Sequence, residues 1–233
     1  MIGAVDIGGT KIAVGVVDDN GKVLARAETP TDPDNYAAGL DEIVRRLRDT
    51  EKNSGAKLRG IGIGSTGPID PIRGEFGDVD FLPGWRGKSL VRDLEDRFKL
   101  RAALENDGDA AALAEAGWGA GRNRTRLIYI TVGTGIGGGI IVDGKLYRGV
   151  DGAHPEVGHQ VIDPAGPQCS CGFRSCARRT LLVPGVAVES AGGSELAQLV
   201  TDHVFGDEHG HELAAVVHRE REPDRLRDDG RTA

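Results

Sequence analysis

Residues 1–18 read Met-Ile-Gly-Ala-Val-Asp6-Ile-Gly-Gly-Thr10-Lys-Ile-Ala-Val-Gly-Val-Val-Asp18, two short apolar runs joined by a turn of paired glycines. Runs rich in Val, Ile and Ala on either side of glycine predict strands over Ile2 to Asp6 and Lys11 to Asp18. A third, Lys22 to Thr29, follows the Asp18-Asp-Asn-Gly21 turn, so the chain opens with three strands in hairpin relation. The pattern returns later. Arg126 to Val132 predicts a strand, Gly133-Thr-Gly-Ile-Gly-Gly-Gly139 a glycine turn, and Ile140 to Val142 with Lys145 to Tyr147 a hairpin about Asp143-Gly144. Strand, glycine turn and hairpin used twice imply two related lobes.

Between these copies the periodicity alternates. Leu40, Ile43, Val44 and Leu47 share one face of a helix over Tyr36 to Lys52, and Leu58 to Gly64 predicts a buried strand. A Gly/Pro-rich loop runs through Trp85, followed by a helix Leu90 to Phe98, a strand Arg101 to Glu105 and an Ala-rich helix Gly108 to Ala116. The result is a mixed α/β layout. The break Gly117 to Arg124 divides the chain into an N-terminal lobe (1–118), a partial second lobe with a metal-binding loop (119–178) and a divergent helical or disordered tail (179–233). In that tail Ser194 caps an expected helix bearing Leu196, Leu199 and Val200, a second helix is expected over His211 to Glu222, and Pro223 to Ala233 reads as disordered. Trp85 and Trp118 are expected to pack in the core or the cleft wall.

Composition narrows the function classes. The 233 residues are 39% hydrophobic and 28% charged with a net charge of -7, the mix of a soluble globular protein without a general nucleic-acid or membrane footprint. No apolar run approaches the ~20 residues of a spanning helix, and Met1 to Asp6 has no basic flank or cleavage site, so a cytoplasmic protein is expected. The 36 glycines follow no Gly-X-Y period and point to sharp turns and close backbone approaches.

The glycine turns also carry chemistry. A turn without Cβ atoms presents consecutive N–H groups to phosphate oxygens, and Thr10 and Lys11 add donors beside the first one. A tight hairpin explains either turn taken alone, whereas two facing turns clamp a polyphosphate. Asp107 follows the strand ending Leu104-Glu-Asn106 and precedes a helix, a place from which a carboxylate can take a hydroxyl proton while that oxygen attacks phosphorus. A carboxylate there also fits a helix cap.

Five segments together are specific. Asp6-Ile-Gly-Gly-Thr-Lys11, Gly62-Ile-Gly-Ser-Thr-Gly-Pro68, Glu105-Asn-Asp107, Gly133-Thr-Gly-Ile-Gly-Gly-Gly139, and Glu156-Val-Gly-His159 with the cysteine cluster resemble the ROK family of sugar kinases and sugar-responsive repressors. The resemblance runs in order from Met1 to Cys176. It implies an actin-like, ribonuclease-H-like fold of two lobes with ATP and a hexose meeting between them. It assigns Asp6, Gly8, Gly9, Thr10 and Lys11 to the first phosphate loop, with Asp6 near a magnesium ion, and Thr134 and Gly135 to the second. Asp107 would be the general base for a hexose hydroxyl, most often the 6-hydroxyl of glucose. Asn106, Glu156 and His159 would hold other hydroxyls, and Gly67 would offer a backbone contact. The family's repressors carry a DNA-binding segment ahead of the first phosphate loop, which begins here at Asp6, so direct DNA binding is not expected. Homo-oligomers are frequent in the family.

His159, Cys169, Cys171 and Cys176 supply one imidazole and three thiolates, the donor set of a closed tetrahedral zinc site. Zinc there would orient His159 so that its second ring nitrogen meets a sugar hydroxyl. Cys-x-Cys is not the thioredoxin-like spacing, and three free thiols in a loop are the alternative. His154 reads as a loop histidine without a ligand role.

The segment departs from the family at three places. Ser175 replaces a glycine, Arg178 stands where a sugar-binding glutamate is expected, and Phe81 stands near a position often held by a sugar-contacting asparagine. After Ala177 no adenosine-binding glycine turn is recognisable. The last 57 residues contain four histidines, seven arginines and no lysine, a composition that fits a truncated product or a shifted reading frame. The expectation is an ATP-dependent hexose kinase with an incomplete second lobe and impaired activity. The alternatives are a non-catalytic zinc-containing sugar-binding protein or regulator, and an inactive remnant.

Overall fold

The computed structural model describes residues 1–132, 136–169 and 171–177 and the strand Ala214–Arg219. Strands β1 (Ile2–Ile7), β2 (Lys11–Val17) and β3 (Val23–Pro30) form the expected antiparallel ribbon. On the other edge of β1, β4 (Ile61–Ser65) and then β7 (Ala102–Asn106) pair in parallel, giving the order β3-β2-β1-β4-β7. The Gly/Pro-rich stretch contains a small hairpin, β5 (Ile69–Asp70) with β6 (Glu75–Phe76), and one 3-10 turn at Pro83–Trp85.

The register follows burial. Val5, Ile7, Ile12, Val14, Ile61, Ile63 and Leu104 turn their side chains into one core. Helix α1 (Tyr36–Ser54) lays Leu40, Ile43, Val44 and Leu47 on it. Asn35 caps this helix by accepting from Ala38 N–H, and Gly55, at φ 64, ends it in the left-handed region that glycine tolerates. Helix α2 (Leu90–Phe98) adds Leu90 and Leu94 from a Ser89 cap. Trp85 fills the middle, fully buried, with its indole N–H donating to the Asp32 carbonyl at 3.0 Å.

The second sheet is β10-β9-β8-β11, built from β8 (Leu127–Val132), β9 (Ile136–Val142), β10 (Lys145–Leu146) and β11 (Ala214–Arg219). Helix α3 (Asp107–Trp118) lies between the sheets, with Ala112 packed against Leu127, Tyr129 and Ile141 of the second. Its first turn also reaches the first sheet, where a Cβ on Gly64 would touch Ala110.

Three expectations need correction. The glycine turn does not extend to residue 139, because β9 begins at Ile136 and Gly137, Gly138 and Gly139 are strand residues paired with Thr131, Ile130 and Tyr129. The expected helix over His211 to Glu222 contains instead the strand Ala214–Arg219, parallel to β8. Adjacent Val216 and Val217 suit a pleated strand, and the pairing satisfies an edge of β8 that would otherwise be open. Trp118 is 56% exposed rather than in the core: it covers Gly21 in the β2–β3 turn and donates to the Asp19 carbonyl. The expected helix after Ser194 and the segment Pro223 to Ala233 lie outside the described residues.

Candidate functional site

The first glycine turn closes β1 onto β2 in the fewest atoms. Gly8 N–H donates to the Lys11 carbonyl at 3.0 Å, and the Thr31 hydroxyl donates to the Gly8 carbonyl at 2.8 Å, fixing the turn from β3. A Cβ on Gly9 would come within 2.9 Å of Phe81, whose ring is 62% exposed over this turn. Asp6, Thr10 and Lys11 are exposed around it, and Lys11 pairs with Glu28 at 3.2 Å. Thr134 and Gly135 lie outside the described residues.

Asp107 is the first residue of α3, and it is not the cap. Asn106, buried, accepts from Gly108 and Asp109 N–H, so its amide does the capping and the Asp107 carboxylate is left facing outward. Asp107 still accepts from Gly108 N–H at 2.8 Å. Its carboxyl is solvent-accessible, yet protein crowds it closely enough that desolvation holds its pKa above the usual value. Nearby Asp6 acts in the same direction, while the Gly108 N–H and His154 oppose it. A base that takes up a proton readily, beside a second carboxylate at a glycine turn, suits proton abstraction next to a metal-bound phosphate.

The backbone approach that places Asp107 comes from the glycine run. A Cβ on Gly108 would lie 2.6 Å from the Gly138 carbonyl oxygen, and one on Gly139 would lie 2.7 Å from the Gly108 oxygen. Glycine on both sides lets the helix start lie directly on β9. Gly67, joined to Pro68 by a cis peptide, sits against the Asn106 amide, where a Cβ would come within 3.3 Å of Nδ2. The structure thus brings Asp6, Gly67, Asn106 and Asp107 to the same ends of β1, β4 and β7.

Glu156 and His159 arrive on the loop after β10, His159 within a 3-10 turn Val157–His159. Glu156 is 65% exposed, with Oε2 3.9 Å from His159 Nε2. The other imidazole nitrogen, Nδ1, lies 3.6 Å from Cys169 Sγ, and Cys171 Sγ lies 3.3 Å from Cys176 Sγ. One donor atom from each of these four residues lies within 4.8 Å of the others. Three sulfurs and one imidazole nitrogen this close fit a tetrahedral zinc ion, for which Zn–S is ~2.3 Å. Burial, and then neighbouring Cys171 and Cys169, pushes the Cys176 thiol up to about 12. A bound cation would relieve that crowding of thiolates. Ser175 at φ 55 takes the left-handed conformation of the glycine it replaces, and its hydroxyl is buried without a hydrogen-bond partner among the described residues. Arg178 lies outside the described residues.

One pair was not legible in sequence. His154 is on the loop as expected but largely buried, with Nδ1 2.9 Å from Oδ2 of Asp109, which is 1% exposed. The contact is close enough for an ion pair, and Asp109 Oδ1 has no hydrogen-bond partner among the described residues. Asp109, Glu156 and Asp107 outweigh the opposing effect of burial and raise the His154 pKa. A buried carboxylate two residues after Asp107 was the available signal, but nothing in the sequence pairs it with position 154.

Comparison with known proteins bears on the family and the fold. The chain is 39% identical over 174 residues to a glucokinase of Thermotoga maritima, covering 74% of this chain and 54% of that protein. It is 36% identical over 193 residues to an N-acetylmannosamine kinase of Citrobacter koseri, covering 81% and 64%. The chain thus spans about half to two thirds of the length of these relatives. A ROK family glucokinase from Streptomyces griseus, solved with glucose and AMPPNP, superposes with a TM-score of 0.63 at 39% identity, covering 75% of this chain and 55% of that one. The mixed sheets are therefore those of the actin-like sugar kinase fold. Since the ROK family pattern matches residues 2–221, past Ala177 where the short motifs stop and through β11, the chain belongs to the ROK family.

Proposed function

We propose that this chain phosphorylates a hexose with ATP, glucose at its 6-hydroxyl being the first candidate, and that Asp107 is the general base. The observation that carries the reading is the division of labour at the start of α3: Asn106 caps the helix, which leaves the Asp107 carboxylate free to face the side where Asp6 and the first glycine turn lie. In the reaction a sugar hydroxyl oxygen attacks the γ-phosphorus of ATP. Its proton passes to an Asp107 oxygen, the bond to the β-phosphate oxygen breaks, and ADP leaves.

Each neighbour has a part in this scheme. Gly8 closes the turn through its N–H on the Lys11 carbonyl, the backbone N–H groups of Gly9 and Thr10 with the Lys11 ammonium offer donors to phosphate oxygens, and Thr134 and Gly135 are proposed to do so from the second lobe. The exposed Asp6 carboxylate is a hard oxygen donor suited to magnesium, which would neutralise charge on the phosphates. Asn106, Glu156, the Nε2 side of His159 and the Gly67 backbone would hold the remaining hydroxyls. The zinc ligands His159, Cys169, Cys171 and Cys176 would fix the loop that carries Glu156. The proposal extends to a cytoplasmic protein that acts without DNA.

Coupled ADP release measured over glucose, mannose, fructose and N-acetylmannosamine tests the reading. Turnover that depends on Mg²⁺ and is lost in Asp107→Asn supports it. Sugar binding seen by calorimetry without turnover would mark a non-catalytic sugar-binding protein, and neither signal an inactive chain.

A further inference from the structure

The loop bearing Glu156 and the helix bearing Asp107 meet at a buried pair that the reaction scheme leaves unused. Asp109 is buried on α3, and its Oδ1 has no hydrogen-bond partner among the described residues. A carboxylate so placed is costly unless a cation faces it. His154, 2.9 Å away on the loop, is the cation at hand. The loop also touches β9 through Gly158, where a Cβ would lie 2.0 Å from the Ile136 carbonyl oxygen. The loop is therefore seated on strand and helix together.

We propose that His154 and Asp109 form a buried latch that clamps the Glu156 loop onto the start of α3, making His154 a positioning residue for sugar binding. Resting on the kinase reading, the latch sets the separation between the groups that grip the sugar and the base that deprotonates it. The charges facing the imidazole are Asp109 and Asp107 on the helix and Glu156 on its own loop. Because these carboxylates favour the imidazolium, the latch is closed below the raised pKa of His154, while Asp109 is ionised, and opens as pH rises through that pKa.

The test compares wild type with His154→Gln, Asp109→Asn, the double variant, and His154→Asn, which keeps an N–H near the Nδ1 position without charge. Thermal unfolding first establishes that each is folded. Hydrogen exchange of residues 153–159 then reads the latch without any need for turnover. Faster exchange there in each single variant, with no further increase in the double, supports the latch, whereas unchanged or fully additive exchange overturns it. In ADP-release assays the hexose KM should rise roughly ten- to a hundredfold with a smaller change in kcat. The fall of kcat/KM as pH rises through the His154 pKa should disappear in His154→Gln, and partial recovery of KM in His154→Asn supports positioning. A KM within about twofold of wild type in both single variants overturns it. If wild type itself turns over no hexose, the kinase reading and the positioning role fail together, and the exchange data still decide the latch.

Discussion

The two glycine-rich stretches look alike in sequence and act differently in the structure. After β1, Gly8 and Gly9 close a short turn whose added Cβ atoms would meet only the Lys11 carbonyl at 3.4 Å and the Phe81 side chain at 2.9 Å. After β8, Gly137 to Gly139 belong to a strand, and a Cβ on Gly138 would strike the Tyr129 carbonyl oxygen at 2.2 Å. The first turn leaves space for a ligand, while Gly137–Gly139 of the second stretch remove space so that a helix can lie on a sheet. Glycine serves both ends, because a missing Cβ permits a tight turn and equally a close backbone contact. A run of glycines therefore need not serve one purpose along its length.

Substitution at these sites can break the comparison. Gly138→Ala has no side-chain rotamer to move aside and should cost about 4 kcal/mol or more, the range of severe core overpacking and strain, so that little folded protein is recovered. Denaturant unfolding checks this. Gly8→Ala should leave the unfolding free energy within about 1 kcal/mol of wild type while raising the ATP KM. Equal stability losses at the two positions would erase the distinction.

The metal loop sharpens it next. Chelating zinc from the purified chain should lower the unfolding free energy by about 2 kcal/mol or more and release protection around His159 and Cys176, leaving β1–β4 unchanged, as hydrogen exchange would show. Catalytic pH dependence follows in size. The Asp107 pKa lies above its usual value, so kcat/KM should rise with pH through a limb placed above the ordinary carboxylate range, and Asp6→Asn should move that limb downward. The smallest effect, and one of opposite sign, is expected at Ser175→Gly. Removing a non-glycine φ of 55 and an unpartnered buried hydroxyl should stabilise the loop by about 1–2 kcal/mol, measured by thermal unfolding.

The sequence disclosed most of the fold because its signals are local. Alternating Val and Ile mark β1 and β2, the Leu40–Leu47 face marks α1, and Leu90–Phe98 coincides with α2. The cysteine cluster was legible for the same reason, since its residues are close in the chain. What escaped depends on contacts between distant residues. Asp109 meets His154 across 45 positions, β11 is defined by the edge of β8, and Gly137–Gly139 are held in a strand by their pairing with residues 129–131. Asn106 and Asp107 are adjacent, and only backbone geometry decides which of them caps α3.

A crystal structure of the chain with glucose and a non-hydrolysable ATP analogue tests the account most directly. It should place one sugar hydroxyl at hydrogen-bond distance from an Asp107 carboxylate oxygen and aimed at the terminal phosphate, with the Gly8–Lys11 turn touching the phosphates. A nucleotide bound away from that turn, or a sugar whose nearest carboxylate is not Asp107, would contradict it.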